Sequence, residues 1–569
     1  MKRISILLAA AALICTACNS AKPAAESSDT VIGAYVMGIG KDLPDPDLMT
    51  HINYAFAHVN ESFDGVLFDD AEGLRQVIGL KKRNRDLKVL LSVGGWGSGR
   101  FSEMASDESN RLSFSQDCAR MVREYGLDGI DIDWEYPTID WAGISASQDD
   151  TRNFTLLMRD LRTALGEDKL LTLASVCTAD YIDFKAILPY VDYVNVMAYD
   201  MAGDNGGHHA ALHRSENAGS CTAEEAVDKH IAAGVPPRKL VLGMPFYGRG
   251  VQGYTPYGNA DSEALTEVWD DTAKVPLLFD KDGKRVFGFE NVRSITEKCN
   301  FIKAKGLRGG MYWEYNADNE AHELARAVHN CLAGYEPSNH ILIVYEGAGQ
   351  HKLFTDAALA WLVPMLEQKG IAAAGIHNMN SVTADFLDSF DAVMQIDFPP
   401  YTWPEAAEDA FIDYIENGKG GYIGFHHATL LGEFDGYPMW QWFSDFMGGI
   451  TYRNYIAPLA DGDIRVEAQD HPVMAGVDPV FTVLDDEWYV YDRSPRDADY
   501  IKVLANVDEG SYRPDSDIKM GDHPAIWTNT AVKARNVYFL FGHSPKLLDN
   551  PNFKTLVTNA VDWVISDED

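Results

Sequence analysis

The hydrophobic pattern of the chain alternates short apolar runs with longer amphipathic segments, which is typical of a parallel α/β fold. Up to residue 313 the apolar runs have the length of strands, and residues 153–165 have the period of an amphipathic helix. The pattern predicts eight strands, at 31–36, 51–57, 87–93, within 127–137, and at 170–176, 191–198, 240–245 and 309–313.

A second series of the same kind begins near residue 340. Strands are predicted at 341–345, 392–396 and 421–425, and helices at 355–368 and 405–417. Strands and helices that alternate in this way form open, doubly wound sheets. The sequence therefore predicts two α/β domains, one over residues 31–335 and one over 340–569.

Acidic and apolar residues alternate with a period of two along residues 127–137. On a strand this period sends Asp131, Asp133 and Glu135 to one face and the apolar side chains to the other. Crowded carboxylates repel one another, which raises the proton affinity of at least one and makes a general acid at neutral pH. A solvated edge strand is the alternative, but Ile130 and Ile132 give the other face a strongly apolar character.

The run Asp128-Gly129-x-Asp131-x-Asp133-x-Glu135 resembles the signature of family 18 glycoside hydrolases, the chitinase family. Four further stretches resemble motifs of that family and occur in the family's order near predicted strand ends. They are Ser92-Val93-Gly94-Gly95, Met197-Ala198-Tyr199-Asp200, Gly243-Met244-Pro245-Phe246-Tyr247-Gly248-Arg249 and Met311-Tyr312-Trp313-Glu314. The resemblance implies a (β/α)8 TIM barrel whose active site lies at the carboxyl ends of the strands.

The resemblance also implies a catalytic role for four residues. Glu135 would protonate the glycosidic oxygen, while the substrate's own 2-acetamido oxygen attacks the anomeric carbon and forms an oxazolinium intermediate. Asp133 would hold the acetamido N–H, Tyr199 would orient the acetamido oxygen, and Asp131 would share a proton with Asp133. This chemistry needs neither a metal nor a cofactor.

Eight further residues are predicted to bind the substrate, with Trp313 as the apolar floor under the distorted sugar. For several of them core packing is an equal alternative, and a purely structural ion pair is the alternative for Asp200 and Arg249. The eight are Trp313, Tyr247, Met197, Asp200, Arg249, Trp96, Tyr35 and Phe56.

Many members of the family carry an α+β insertion between the seventh and eighth strands. Here only residues 251–265 are expected to supply it, so we predict a much reduced wall, a shallow groove and endo-type cleavage. His208 and His209 precede this region and are interpreted as surface residues on a flexible loop.

Three functions are consistent with these residues. The first is retaining, substrate-assisted hydrolysis of β-1,4-linked N-acetylglucosamine polymers such as chitin or chitooligosaccharides, which makes the protein a glycoside hydrolase. The alternatives are an endo-β-N-acetylglucosaminidase that acts on N-glycans and a non-catalytic glycan-binding protein. Proteins of the last kind typically lack the acid at the position of Glu135, which is present here.

Length and composition limit the partners. A chain of 569 residues is long enough for two or three domains. The formal net charge of −37 argues against a nucleic-acid partner, because a phosphate backbone requires a basic surface, whereas a neutral polysaccharide is not repelled. The cysteines after residue 18 are five in number and form no CxxC pair, so we expect buried free thiols.

The N-terminal segment is predicted to direct export. A short basic start and an apolar run over 4–14 precede Cys18, and the small residues before Cys18 resemble a bacterial lipobox. We interpret residues 1–17 as a lipoprotein signal peptide, Cys18 as the lipidated residue, and 18–30 as a flexible tether. The protein is then anchored to a bacterial membrane or cell surface by this lipid alone. The alternative is an ordinary signal peptide and a secreted or periplasmic protein.

The second domain resembles the ThuA-like family, which is related to class I glutamine amidotransferase folds. The resemblance rests on Gly424–Ala428, His471-Pro472-Val473, 486–489 and the region 523–543. No cysteine follows Cys331, and His426 occupies the strand end where an amidotransferase has its nucleophile, so the usual glutaminase chemistry is excluded. A group of side chains is left that could line a sugar or metal pocket, namely His426, His427, Glu487, His523 and His543. The alternative is an accessory or docking module with hydrogen-bonded structural histidines.

Overall fold

The structure is a computed structural model that describes residues 29–40, 42–202, 207–250, 253–257, 266–334, 339–380, 382–456 and 458–566. The expected signal peptide, Cys18 and the tether up to residue 28 lie outside these ranges, so lipid attachment stays a prediction. None of the helices in the described ranges is long and apolar enough to cross a membrane.

The first half of the chain forms a closed barrel of eight parallel strands, which confirms the predicted (β/α)8 fold. The strands follow one another around the barrel in chain order, and the first pairs with both the second and the last. The barrel strands are β1 Val31–Met37, β2 His51–Val59, β4 Lys88–Gly94, β5 Gly129–Asp133, β6 Leu170–Val176, β7 Tyr193–Met197, β8 Leu240–Pro245 and β14 Gly309–Trp313. A short strand, β3 Val66–Leu67, pairs antiparallel with β2.

Helices between these strands and one after the last strand complete the α/β pattern. They are α1 Ala71–Gly79, α2 Phe101–Ser106, α3 Glu108–Tyr125, α4 Asp150–Leu165, α5 Phe184–Ile187, α6 Ala223–Ala232, α7 Val292–Ala304 and α8 Glu323–Leu332. Their apolar faces cover the barrel, as α4 shows with the buried Phe154, Leu157 and Leu161. The five cysteines within the described ranges are free, and four of them are buried, as expected.

The chain between β8 and β14 forms a larger insertion than the sequence predicted. It contains the five-stranded antiparallel sheet β9 Tyr247–Gly250, β10 Gly253–Pro256, β11 Thr266–Asp270, β12 Val275–Phe279 and β13 Arg285–Gly288. The expectation of a much reduced wall was wrong because it counted only residues 251–265. The sheet is instead completed by residues on both sides of that stretch, which pair over long range.

Strand β5 has the two faces that its alternating pattern predicted. Ile130 and Ile132 are fully buried against the helical layer, and Trp134 just beyond the strand stacks on Phe101 at a centroid distance of 5.3 Å. Asp131 and Asp133 face the barrel interior and are 0% and 5% exposed. Both faces are therefore buried, which excludes the solvated edge strand.

The glycine pair at the end of β4 lets this strand lie directly against the signature strand. A Cβ atom on Gly94 would lie 1.9 Å from the backbone oxygen of Asp133, and the φ angle of Gly94 is +135°. The amide of Gly95 donates to the same oxygen at 2.8 Å. Only glycine fits here, and the contact fixes the backbone that carries Asp133.

The second half of the chain forms a mixed α/β domain around a nine-stranded sheet, ordered β16-β15-β17-β18-β25-β24-β23-β20-β21. Its strands are β15 Asn339–Tyr345, β16 Ile371–Ile376, β17 Ala392–Ile396, β18 Gly421–Phe425, β20 Ala460–Val466, β21 Val480–Asp486, β23 Ile501–Arg513, β24 Pro524–Asn529 and β25 Asn536–Phe539, and a separate two-stranded sheet contains β19 Tyr452–Tyr455 and β22 Tyr489–Tyr491. The helices are α9 Lys352–Gln368, α10 Ala384–Leu387, α11 Glu405–Asn417, α12 Gln441–Phe446 and α13 Pro551–Val564.

Five neighbouring strands of this sheet, β16, β15, β17, β18 and β25, are parallel. In chain order their arrangement is 2-1-3-4-5, a doubly wound order whose direction of winding reverses between β15 and β17. The predicted open sheet is thus confirmed over its parallel half. The remaining strands, β24, β23, β20 and β21, extend it antiparallel.

Candidate active site

A cavity of about 700 Å³ opens at the carboxyl ends of the barrel strands. All eight residues predicted to bind substrate line it, together with three of the four predicted catalytic residues. These are Tyr35, Phe56, Trp96, Met197, Asp200, Tyr247, Arg249 and Trp313, with Asp133, Glu135 and Tyr199. The structure brings them into one place, and their individual roles stay predictions.

Asp131 lies beneath the cavity and accepts four hydrogen bonds. Its donors are Tyr35 Oη at 2.8 Å, Ser92 Oγ at 2.7 Å, Thr172 Oγ1 at 2.6 Å and Asn195 Nδ2 at 3.2 Å. Burial raises the pKa of this carboxyl and the hydrogen bonds oppose that rise. Asp131 and Asp133 are not hydrogen-bonded to each other here, so the sharing of a proton between them stays a prediction.

Asp133 carries an unsatisfied oxygen. Its Oδ1 atom is buried and has no hydrogen-bond partner among the described residues. Burial, followed by the charges of Glu135 and Asp131, raises the pKa of Asp133 well above its ordinary range. A buried polar atom without a partner is costly, so this oxygen is suited to receive a donor from a bound molecule.

Glu135 has the protonation behaviour that a general acid requires at neutral pH. Burial raises its pKa from 4.5 to about 7, the charge of Asp200 adds to this, and a hydrogen bond with Tyr136 opposes it. The side chain lines the cavity only partly covered, so a ligand can reach its proton. A carboxyl with such a pKa can donate a proton and be reprotonated from water near pH 7.

Aromatic rings form the floor of the cavity. Trp313 stacks on Phe56 at a centroid distance of 5.5 Å with an interplanar angle of 20°, and it lies 5.7 Å from Tyr35. Tyr199 also lines the cavity. Burial and the charges of Asp133 and Glu135 raise the pKa of Tyr199 well above 10.0, so its hydroxyl stays protonated. The floor therefore offers an apolar ring face beside a hydroxyl donor.

Asp200 and Arg249 form a bidentate ion pair at the rim. Arg249 Nε lies 2.7 Å from Asp200 Oδ1, and Nη2 lies 2.8 Å from Oδ2. Burial alone would raise the pKa of Asp200, but the hydrogen bonds and charge of Arg249, with His209 nearby, outweigh it and hold the pKa far below 3.8. Asp200 is thus a fixed negative charge beside Glu135, so the pair has an electrostatic effect as well as a structural one.

The two histidines expected on the surface are buried instead. His208 and His209 are 1% and 2% exposed. His208 Nε2 lies 3.0 Å from Asp270 Oδ2 in β11, and His209 Nδ1 lies 3.8 Å from Asp200 Oδ1. The sequence interpretation failed because the sheet inserted after β8, which meets His208 through Asp270, cannot be seen in the local pattern.

Sequence reasoning missed part of the cavity lining. Trp141 is 63% exposed, as is Trp96, and Tyr136 lies between them at 6.3 Å and 6.5 Å. The signal was the aromatic content of the segment after the signature strand. The other lining residues that were not singled out are Val176, Cys177, Thr178, Asp180, Tyr181, Ser220 and Tyr254.

Together these groups can protonate a leaving oxygen and bind an amide donor above a stacking floor. A cleft with exposed aromatic rings and hydrogen-bonding carboxyls suits a carbohydrate, which has both apolar ring faces and polar groups. The described part of the barrel thus has the chemistry of a glycosidase site.

Comparisons with known proteins agree with this geometry. Residues 26–318 match the family described as Glycosyl hydrolases family 18, and residues 340–564 match the ThuA family, described as Trehalose utilisation. Chitinase A1 of Niallia circulans is 31% identical over 373 residues, which cover 48% of this chain and 53% of that relative. Chitinase 1 of Aphanocladium album is 32% identical over 360 residues, covering 53% of this chain and 83% of the relative.

Solved structures match the same half of the chain. A family 18 N-acetylglucosaminidase from Paenibacillus barengoltzii is 36% identical with a TM-score of 0.50, and the match covers 53% of this chain and 100% of that one. The Group IV chitinase of Ostrinia furnacalis is 30% identical with a TM-score of 0.50, again over 53% and 100%. The chain carries this family's barrel and motifs, and it therefore belongs to family 18 of the glycosyl hydrolases, as a chitinase-like glycoside hydrolase.

Proposed function

We propose that the barrel hydrolyses β-1,4-linked N-acetylglucosamine chains, as in chitin or chitooligosaccharides, with retention of anomeric configuration and with help from the substrate's acetamido group. The observation that carries the proposal is Glu135, whose pKa is raised to about 7 in a cavity that also holds the unpaired oxygen of Asp133. Relatives named chitinases, about 30% identical, support the substrate class.

The placement of Asp133 and Asp200, two carboxylates among the described residues that line the cavity, supports substrate assistance. Asp200 is paired with Arg249, and Asp133 is the last residue of β5, two residues before Glu135, so the carboxyls of Asp133 and Glu135 approach the sugar from one side. The raised pKa of Asp133 also lowers the fraction of this side chain that is in the nucleophilic carboxylate form. Its unpaired oxygen can instead accept the acetamido N–H, and Tyr199 can donate to the acetamido oxygen. Family 18 enzymes are known to use this route.

The pH profile should follow the protonated form of Glu135. Because its pKa is raised from 4.5 to about 7, the acid form is present below pH 7 and is lost as the pH rises through that value. We expect kcat/KM on chitotetraose to fall about tenfold for each pH unit above 7. An aryl glycoside, whose leaving group needs less protonation, should show a shallower fall. A rate that stays constant up to pH 9 on the oligosaccharide would contradict this assignment.

The exposed rings should bind the outer sugars of long chains. Stacking adds about 1 kcal/mol per ring, so Trp141→Ala and Trp96→Ala are each expected to raise KM for chitohexaose roughly three- to tenfold. We expect kcat to change less than twofold, because neither ring touches the acid. Tyr455→Ala, at a 40% exposed ring of the second domain, serves as the control. Equal effects on chitobiose and chitohexaose would show that these rings do not form outer subsites.

A second candidate function is suggested by the similar P. barengoltzii protein, which is an N-acetylglucosaminidase. The same site would then release single sugars from chain ends. The larger wall formed by β9–β13 favours this candidate over the shallow groove that the sequence suggested. Product analysis on chitohexaose distinguishes the two, and a high-mannose glycopeptide assayed in parallel tests action on N-glycans.

A further inference from the structure

A compact group of histidines and carboxylates lies in the second domain, far along the chain from the barrel site. Its three histidines follow the carboxyl ends of parallel strands: His351 lies in the segment after β15, His426 directly follows β18, and His543 lies just after β25. Glu487 directly follows β21. Open α/β sheets bind ligands at this edge, near the point where the strand order reverses. The cluster thus occupies the edge of the sheet where such folds bind ligands.

Two of the rings are oriented in the same way. His426 Nδ1 lies 2.9 Å from the backbone oxygen of Leu540, and His351 Nδ1 lies 2.6 Å from Glu346 Oε2. An oxygen acceptor at Nδ1 places the ring proton on that nitrogen, so Nε2 of each ring keeps its lone pair. Metal-binding histidines are usually oriented in this manner, with the second nitrogen donating to a carbonyl or carboxylate.

The lone pair on each of these Nε2 atoms either faces another acceptor or has no hydrogen-bond partner among the described residues. His426 Nε2 lies 3.1 Å from Glu487 Oε2, so two acceptors oppose each other. His351 Nε2 is buried without a hydrogen-bond partner among the described residues, in a side chain only 6% exposed. A cation between these atoms would satisfy all of them.

His543 completes the group. Its Nδ1 atom is also buried without a hydrogen-bond partner in the described part of the chain, and it lies 3.7 Å from Glu487 Oε2. The four potential ligand atoms, one each from His351, His426, Glu487 and His543, all lie within 4.8 Å of one another. A tetrahedral ion with bonds of about 2.1 Å separates its ligands by roughly 3.4 Å, so small side-chain rotations bring the set into place.

The loops that carry two of these ligands are held by one carboxylate. Asp486 Oδ1 accepts hydrogen bonds from the backbone amides of Glu487 at 2.9 Å and His543 at 3.2 Å. The backbone of His426 is fixed as well, with a φ angle of +38° at the turn after β18. This conformation is rare for a non-glycine residue and is typical of functional sites. The backbone positions of Glu487, His543 and His426 are therefore fixed by the surrounding protein.

His523, which the sequence grouped with these residues, shows what a structural histidine looks like here. Its Nε2 lies 2.9 Å from the backbone oxygen of Tyr489 and can donate to it, while its Nδ1 lies 3.1 Å from the hydroxyl of Tyr512, which can donate to Nδ1, and 2.9 Å from Glu509 Oε1. Both ring nitrogens are satisfied within the protein. The interpretation of the predicted histidines as hydrogen-bonded structural groups therefore holds for His523 and fails for His543, and His351, which the sequence analysis did not single out, also has a ring nitrogen without a partner among the described residues.

We propose that the second domain binds a divalent first-row transition cation through His351 Nε2, His426 Nε2, His543 Nδ1 and a carboxylate oxygen of Glu487. Three neutral imidazoles and one carboxylate suit zinc or a neighbouring metal better than magnesium or calcium, which prefer oxygen ligands. His543 and Glu487 remain partly exposed, at 16% and 13% of their side chains, so solvent can reach the ion.

The test is metal binding by the full chain, produced without a histidine tag. We expect about one Zn²⁺ per chain after dialysis, measured by elemental analysis, and visible absorption bands when Co²⁺ replaces it. His426→Gln and Glu487→Gln should abolish stoichiometric retention of Zn²⁺. Glu346→Gln should weaken the affinity about 10- to 100-fold, because Glu346 only orients His351. His377→Ala, which removes an exposed histidine, should leave binding unchanged.

Two controls keep the result decisive. Unchanged circular dichroism and unchanged barrel hydrolysis show that a variant has folded, and Zn²⁺ should raise the unfolding temperature of the wild type but not of His426→Gln. The proposal is overturned if the wild type retains less than a tenth of an equivalent of Zn²⁺. It is also overturned if His427→Gln abolishes binding while Glu487→Gln does not, because the ion would then lie among Glu346, His351 and His427.

Discussion

Glu135→Gln is expected to lower kcat on chitotetraose by a factor on the order of 10² to 10⁴, with little change in oligosaccharide binding. The amide keeps the shape of the side chain but has no proton to give to the leaving oxygen. In the wild type this proton is retained to about pH 7, mainly because burial disfavours the carboxylate. Single-turnover kinetics and isothermal titration on the same preparation separate the chemical step from binding.

Two comparisons make that result specific to proton donation. An aryl glycoside with a good leaving group should lose far less rate in Glu135→Gln, since its departure needs little protonation. Glu167→Gln, at an exposed position in the turn after α4, should behave as the wild type. If Glu135→Gln kept near wild-type turnover on chitotetraose, the general acid would have to be another residue.

Asp133→Asn and Tyr199→Phe are each expected to reduce kcat about 10²- to 10³-fold, the usual effect of removing one group that stabilises a charged transition state. Asp133 offers a buried, unpaired oxygen to the acetamido N–H, and the hydroxyl of Tyr199 stays protonated because burial and nearby carboxylates raise its pKa. Neither variant removes the acid, so the loss would report on the acetamido group. Rates with chitin oligomers in both variants provide the measurement.

The substrate itself supplies the independent control for this mechanism. Fully deacetylated chitosan oligomers should be inert, and a thiazoline analogue of the intermediate should inhibit competitively. Tyr455→Phe, in the second domain, is the matched hydroxyl deletion and should have no effect. Efficient cleavage at glucosamine units without an N-acetyl group would rule out substrate assistance.

The barrel could be predicted in detail because its signals are local. The strand runs are continuous and apolar, and the signature has a period of two, so the inward direction of Asp131 and Asp133 follows from strand geometry. The predicted cavity lining was also found together, since the carboxyl ends of all barrel strands meet at one face.

The errors arose where long-range pairing decides the structure. The sheet β9–β13 joins residues as far apart as Arg249 and Gly288, and it meets His208 through Asp270. Local hydrophobicity does not record such pairings, so the histidines were taken for surface residues. The same limit applies to Trp141, whose place on the cavity rim depends on the path of the loop after β5.

By itself, the sequence determined the two domains, the parallel strands and the carboxylates of the barrel, because these depend on periodicity and on short motifs. Only the tertiary structure decided the ionisation of those groups, since a pKa depends on burial and on neighbours from distant strands. It also decided which histidines of the second domain converge. His351 was not singled out and His523 was, because the ends of β15, β18 and β25 meet only when the sheet is assembled.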